Sequence, residues 1–210
     1  MLQGPSYIPQ NPKNACVFMH GFGSNGDDLI TLAGMLSAAF PDTAFFAPHG
    51  PAVTPMGMGY EWFSDNNWTF VDYDGMVNTH AKLETYIQKS IVEELGIPQD
   101  KIVLFGFSQG TMMSLFSAPR FEHKIAGVLG FSGKMMWQDK LKEPFHRPPV
   151  SLIHGIQDDV VPHQESSKSE KSLKELGFNV SLLKEEGVSH HIGEKGLEEA
   201  IRFMKERFKN

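Results

Sequence analysis

The sequence predicts an α/β fold, with a mostly parallel central sheet and helices on both faces. Three observations carry that prediction. Six short apolar runs, at 15–19, 44–47, 102–107, 126–131, 150–154 and 180–184, recur along the chain and are mostly rich in Val, Ile and Phe. Longer amphipathic stretches separate them, the alternation expected of strands joined by helical crossovers. Several runs are near-continuously apolar, as strands covered on both faces are.

Taken in order, the run at 15–19 ends in the glycine-rich turn His20-Gly21-Phe22-Gly23-Ser24-Asn25-Gly26, with a helix expected to begin near Asp27. After 44–47 comes a long segment, 48–74, rich in Gly, Pro, Met and aromatics and without clear periodicity. Loops of that kind are often functional. Leu83, Ile87, Ile91 and Leu95 repeat every four residues and mark one buried helix face, which Gly96 and Pro98 terminate. The segment 134–149 is a second irregular stretch. Residues 164–176, where only Leu173 and Leu176 are clearly apolar, read as a surface helix. Leu197, Ile201, Met204 and Phe208 form the stripe of a C-terminal helix. No repeat, linker or low-complexity tract divides the 210 residues, which read as one domain over 1–210.

Charge and composition exclude several functions. The net charge is −6 and no basic patch stands out, so a phosphate backbone finds no counter-surface and nucleic-acid binding is not expected. The same acidic average offers no general attraction to an anionic membrane. The N-terminal residues lack a basic region followed by an apolar core, and no apolar run is long enough to span a bilayer, so no stable membrane insertion is expected. The single cysteine, Cys16, lies in an apolar run and forms no internal disulfide, which favours a buried thiol and a reducing, cytoplasmic location.

The chemistry concentrates where strands end. The run at 102–107 leads directly into Gly106-Phe107-Ser108-Gln109-Gly110, and the helix-compatible stretch 111–116 follows. This is the strand–turn–helix context of the G-x-S-x-G nucleophile elbow of the α/β-hydrolase fold, and it nominates Ser108 as a nucleophile. The glycines let helix and strand approach closely around a strained serine. A near-copy, Gly130-Phe131-Ser132-Gly133, has Lys134 in place of the last glycine, so Ser132 reads as a strand-end residue bordering the pocket. A nucleophilic serine needs a base and an orienting carboxylate, which in this fold class follow it in the order acid, then histidine. Asp158 and Asp159 follow the run at 150–154; His190 and His191 follow the run at 180–184. Spacing alone separates neither pair. Acyl transfer also needs donors for an oxyanion. The Phe22 and Gln109 amides are the candidates, one in the glycine-rich turn and one beside the nucleophile. That turn has neither a Walker lysine nor GxGxxG spacing, which argues against phosphate binding.

Together HGFGSNGDDL, YEWFS, GFSQG, HGIQDDVVP and SHHI, in this order and spacing from about Ala15 to the C-terminus, resemble the phospholipase/carboxylesterase family. The resemblance implies Asp158 as the acid, His190 as the base, and Phe22 and Gln109 as oxyanion donors. It implies hydrolysis of a small-molecule ester or thioester through an acyl-Ser108 intermediate, with no metal and no organic cofactor. Family relatives are often dimers, so a homodimer is an expectation too. Two positions depart from the family pattern: Ser189 stands where a glycine often precedes the catalytic histidine, and Ser64 where a charged or polar residue often follows the Trp-Phe pair. For an apolar acyl group the sequence offers Trp62, Phe63, Trp68, Phe70, Met112, Met135, Met136 and Trp137, flat or flexible side chains in or near the irregular segments. The other readings are a non-catalytic ligand-binding protein of the same fold, or a peptidase or lactonase using the same triad.

Overall fold

The computed structural model describes residues 1–64 and 72–209. Its strands are β1 (Ser6–Tyr7), β2 (Asn14–Met19), β3 (Thr43–Phe46), β4 (Ala52–Val53), β5 (Tyr60–Glu61), β6 (Ile102–Phe107), β7 (Gly127–Phe131), β8 (Val150–Gly155) and β9 (Val180–Glu185). Seven of them form one sheet in the order β1-β3-β2-β6-β7-β8-β9, and β4 and β5 pair separately. Every neighbour in the large sheet is parallel except β1, which runs antiparallel to β3 at the edge. The helices are α1 (Gly26–Ile30), α2 (Leu32–Leu36), α3 (Tyr73–Ile87), α4 (Gln109–Ser117), α5 (Gln164–Glu175) and α6 (Glu194–Arg207). This is the α/β-hydrolase architecture expected from the sequence.

Alternation along each strand explains why the runs are apolar throughout. Ala15, Val17 and Met19 of β2 face the core shared with α3, α4 and α5, while Cys16 and Phe18 face the core shared with α2 and α6. On the second face Phe45, Phe18, Phe105 and Phe131 form a row across β3, β2, β6 and β7, with successive ring centroids 5.7, 5.3 and 4.8 Å apart. Offset and edge-on contacts of this kind stabilise beyond the area they bury. Among the described residues no helix is long and apolar enough to cross a membrane.

The six expected strands are present; the run at 102–107 keeps its bounds and the ends of the others move by at most one residue. The two-residue strands β1, β4 and β5 are too short to leave a periodic pattern. The segment expected to be irregular, 48–74, contains the β4–β5 hairpin and ends where α3 begins at Tyr73. The four-residue repeat after Leu83 also has a structural correlate. It overshoots the α-helical turn by about 40° per step, and after Ile87 the backbone widens into π turns over Gln88–Glu93, which offsets the drift. Ile91 is fully buried and Leu95 half-buried. On α6 the buried centre is Gly196, Ala200, Phe203 and Met204; of the predicted stripe Leu197, Ile201 and Phe208 lie on its flank. Small residues at 196 and 200 let that helix lie close to the sheet, a role that an apolar count overlooks.

Candidate active site

The C-terminal ends of β2, β6, β8 and β9 deliver four loops to one edge of the sheet, where parallel α/β sheets form their sites. At the centre, β6 runs into Ser108, whose backbone has φ 53° and ψ −116°, and α4 starts at the next residue. That conformation costs a non-glycine residue on the order of 1–3 kcal/mol. Surrounding contacts enforce it: Ser108 N–H donates to Phe131 O at 2.8 Å, and the Thr111 hydroxyl donates to the same carbonyl at 2.7 Å. The two motif glycines are needed for space. A Cβ at Gly110 would lie 1.9 Å from Met19 O, and one at Gly106 would lie 2.5 Å from the Thr111 backbone.

Ser108 Oγ lies 3.1 Å from His190 Nε2, and His190 Nδ1 lies 2.8 Å from Asp158 Oδ2. The other carboxylate oxygen, Oδ1, accepts from Val160 N–H at 3.0 Å and Val161 N–H at 2.8 Å. Burial acts to raise the Asp158 pKa. Hydrogen bonds from His190, Val161 and the Ser132 hydroxyl, with the His190 charge, outweigh it and hold the carboxyl below its usual value. The His190 ring rests on Phe107, with centroids 5.0 Å apart. Asp159 and His191 are both exposed; the Ser189 hydroxyl lies 3.1 Å from His191 Nδ1. The Asp158 and His190 loops are tied together through Gln157, whose N–H donates to Val188 O at 3.0 Å and whose Oε1 accepts from Gly187 N–H at 2.7 Å. Beyond His190, the buried Glu185 carboxylate caps α6 by accepting from Lys195 and Gly196 N–H at 3.1 and 2.9 Å.

The turn after β2 is held from beneath. His20 Nδ1 lies 2.8 Å from Gly21 O, and Nε2 accepts from Gly50 N–H at 2.9 Å. A carbonyl only accepts and an amide only donates, so His20 is neutral with its proton on Nδ1. Trp62 indole N–H donates to His20 O at 2.8 Å. The Gln109 side chain bridges the same region to the elbow, accepting from Trp62 N–H at 2.8 Å and donating to Phe63 O at 2.9 Å. Phe22 and Gln109 both line the cleft beside Ser108. Among the described residues the backbone N–H of neither donates to a backbone carbonyl outside the regular elements.

Burial pushes the His20 pKa down to about 4 from 6.5, against the opposing Gly21 hydrogen bond. Above the unfolded value both states are neutral and the shift has no effect. Below it the unfolded chain binds a proton that the folded chain refuses, so stability falls as pH drops from 6.5 towards 4. For His20 alone the full loss is about 3 kcal/mol. His80 and His154, both lowered chiefly by burial, act in the same direction. The thermal midpoint, followed by circular dichroism, is expected to begin falling as pH drops from about 6.5 to about 5, before ordinary carboxylates titrate appreciably. A level midpoint across that window contradicts the neutral, buried His20.

Ser108 opens into a cleft of about 610 Å³. Its apolar walls are Phe22, Leu29, Phe107, Val160 and Ile192, and no Asp, Glu, Lys or Arg is among its described lining residues. The side chains expected from the sequence to hold the acyl group lie elsewhere. Trp62, Phe63, Met112 and Met135 are buried in the core and do not line the cleft. Trp62 and Phe63 instead support the turn and Gln109, and Met112 faces inward from α4. Met136 and Trp137 pack partly buried against the same core. Trp68 and Phe70 lie outside the described residues. Phe107, Val160 and Ile192 went unrecognised because each sits singly beside a motif residue: Phe107 before Ser108, Val160 after Asp159, Ile192 after His191. Position next to a motif was the available signal.

Known proteins resemble this chain over nearly its whole length. A model of the phospholipase/carboxylesterase family matches residues 8–207. Acyl-protein thioesterase 1 of Emericella nidulans is 30% identical over 227 residues, covering 97% of this chain and 95% of the relative. Among solved structures, esterase PE8 superposes with a TM-score of 0.90 at 34% identity, covering 98% of each chain. Acyl-protein thioesterase 2 of Zea mays superposes with a TM-score of 0.80 at 23% identity, covering 99% of this chain and 100% of the other, a likeness of fold.

Proposed function

This chain belongs to the phospholipase/carboxylesterase family and is a serine hydrolase of carboxylic esters or thioesters, and we propose that it acts through an acyl intermediate on Ser108. The observation that carries the proposal is the continuous hydrogen-bonded line Ser108 Oγ, His190, Asp158, at 3.1 and 2.8 Å. His190 Nε2 takes the Ser108 proton as Oγ attacks the carbonyl carbon. The Phe22 and Gln109 N–H groups receive the oxyanion, the first from the turn after β2 and the second from the N-terminus of α4, where first-turn amides lack helical partners. His190 then gives its proton to the departing alcohol or thiol. Water, deprotonated by His190, attacks the acyl carbon and frees the acid and Ser108. Asp158 holds the imidazole in the Nδ1–H tautomer and stabilises the cation that forms.

The cleft walls support an apolar, uncharged acyl group. An aliphatic or aryl chain gains about 0.8 kcal/mol for each CH₂ it buries there, whereas a charged one meets no counter-charge among the described lining residues. The relatives named acyl-protein thioesterases add support for thioester substrates. We read the chain as a single catalytic domain over 1–210 that works in a reducing, cytoplasmic setting. In support of that compartment, the one cysteine, Cys16, is fully buried and burial pushes its thiol pKa up.

Fluorophosphonate labelling followed by peptide mapping is expected to modify Ser108 alone. On p-nitrophenyl esters, kcat/KM is expected to rise with acyl length until the cleft is filled. Labelling elsewhere overturns the nucleophile, and equal rates across acyl lengths overturn the acyl cleft.

A further inference from the structure

Asp158 touches a second imidazole that no step above uses. His154 lies near the end of β8, four positions before Asp158, with its side chain fully buried. Its Nε2 is 2.8 Å from Val161 O and 3.2 Å from Asp158 Oδ2. Both oxygens accept, so Nε2 carries the proton and shares it between them. His154 Nδ1 is buried, with no hydrogen-bond partner among the described residues. A second proton there would leave a buried N–H unpaired, so the ring stays neutral. On another side of the same carboxylate stands Ser132, fully buried, at φ 46°, with its hydroxyl bonded to Asp158.

We propose that His154, with Ser132 beside it, is a positioning residue that sets both the orientation and the effective charge of Asp158. This rests on the reading of Ser108, His190 and Asp158 given above. Two backbone amides hold Oδ1, and His154 shares Oδ2 with His190, so the carboxylate cannot rotate away from the base. A neutral donor on Oδ2 also draws off part of the negative potential that Asp158 presents to His190. That favours the unprotonated base and extends activity to lower pH. The groups facing His154 are Asp158, His190 and His163. Across the β8–β9 pairing stands Lys184, which is exposed to solvent and screened.

The test is the pH dependence of kcat and KM for His154→Leu and His154→Gln, repeated in a His163→Gln background to remove the other titrating ring. His154→Leu is expected to lower kcat about 10- to 100-fold, as losing the outer partner of a positioned functional group does, with KM little changed. Its acid limb is expected to move up by about half a pH unit or more. His154→Gln, whose amide N–H reaches the same oxygens, is expected to restore most of kcat and return the limb. A limb that stays in place in His154→Leu, with kcat merely reduced, makes His154 structural and overturns the proposal. Should the leucine variant not fold, the ¹⁵N shifts of the unmodified protein decide. A neutral His154 ring protonated on Nε2 near pH 7 is expected, and an Nδ1–H ring or an imidazolium overturns it. Ser108→Ala keeps the two ideas apart. Activity surviving in that variant defeats the acyl-Ser108 reading, whereas an unmoved limb in His154→Leu defeats only the role of His154.

Discussion

Ser108→Ala is expected to lower kcat/KM on a p-nitrophenyl ester by about 10⁴- to 10⁶-fold and to abolish fluorophosphonate labelling, while leaving the fold intact. The effect is large because, among the described residues, the hydroxyl at His190 Nε2 is that of Ser108. Ser108 occupies a backbone conformation enforced by the Phe131 carbonyl and by close contact of α4 with β2. Ser132, the nearest motif relative, is buried and bonded to Asp158. Alanine keeps the elbow backbone and the Gln109 amide, so residual turnover measures what the oxyanion donors and the cleft contribute without a nucleophile. Circular dichroism checks the fold in the same preparation. A variant that folds and retains its rate removes Ser108 from the mechanism.

Asp158→Asn is expected to lower kcat by about 10⁴-fold, and Asp159→Asn to leave it within about twofold. The contrast follows from the hydrogen bonds. At position 158 the Val160 and Val161 amides donate to Oδ1, so an asparagine there turns its oxygen towards them. Its NH₂ then points at His190 Nδ1 and His154 Nε2. An NH₂ facing His190 Nδ1 forces the proton onto Nε2, where it points at Ser108 and leaves nothing to accept the serine proton. His154 meets a donor where it had an acceptor, so some loss of stability is expected as well, on the order of 1–3 kcal/mol for a buried donor left unpaired. Asp159 is solvent-exposed, so its amide meets none of these conflicts. Steady-state kinetics on the two variants, with thermal midpoints alongside, tests the assignment. Equal losses at both positions contradict it.

The two adjacent pairs show where sequence reasoning stops. Asp158 and Asp159, like His190 and His191, have the same chemistry and nearly the same spacing from Ser108. Successive residues in a loop point in different directions, and direction is set by hydrogen bonds to distant segments. Asp158 turns inward because the Val160 and Val161 amides close a turn on its oxygen. His190 turns inward onto Phe107 while His191 faces solvent. The acyl walls show the same limit more sharply. Trp62 and Phe63 stand out as large aromatics in an irregular segment, yet burial enlists them to brace His20 and Gln109. The cleft is instead walled by Phe22, Leu29 of α1, Phe107 at the end of β6, Val160 and Ile192, which come together only when the sheet forms.

By itself the sequence determined the α/β architecture, the strand-to-helix elbow at Ser108 and the order in which its aspartate and histidine partners follow along the chain. Each is written locally, in apolar runs that must be covered on both faces, in glycines at a tight turn and in polar residues at strand ends. Only the tertiary structure decided which aspartate and which histidine meet the serine, which side chains wall the cleft, and that His154 stands behind the acid. Those outcomes depend on distances between residues far apart in the chain, which parallel pairing of β2, β6, β7, β8 and β9 brings to one edge.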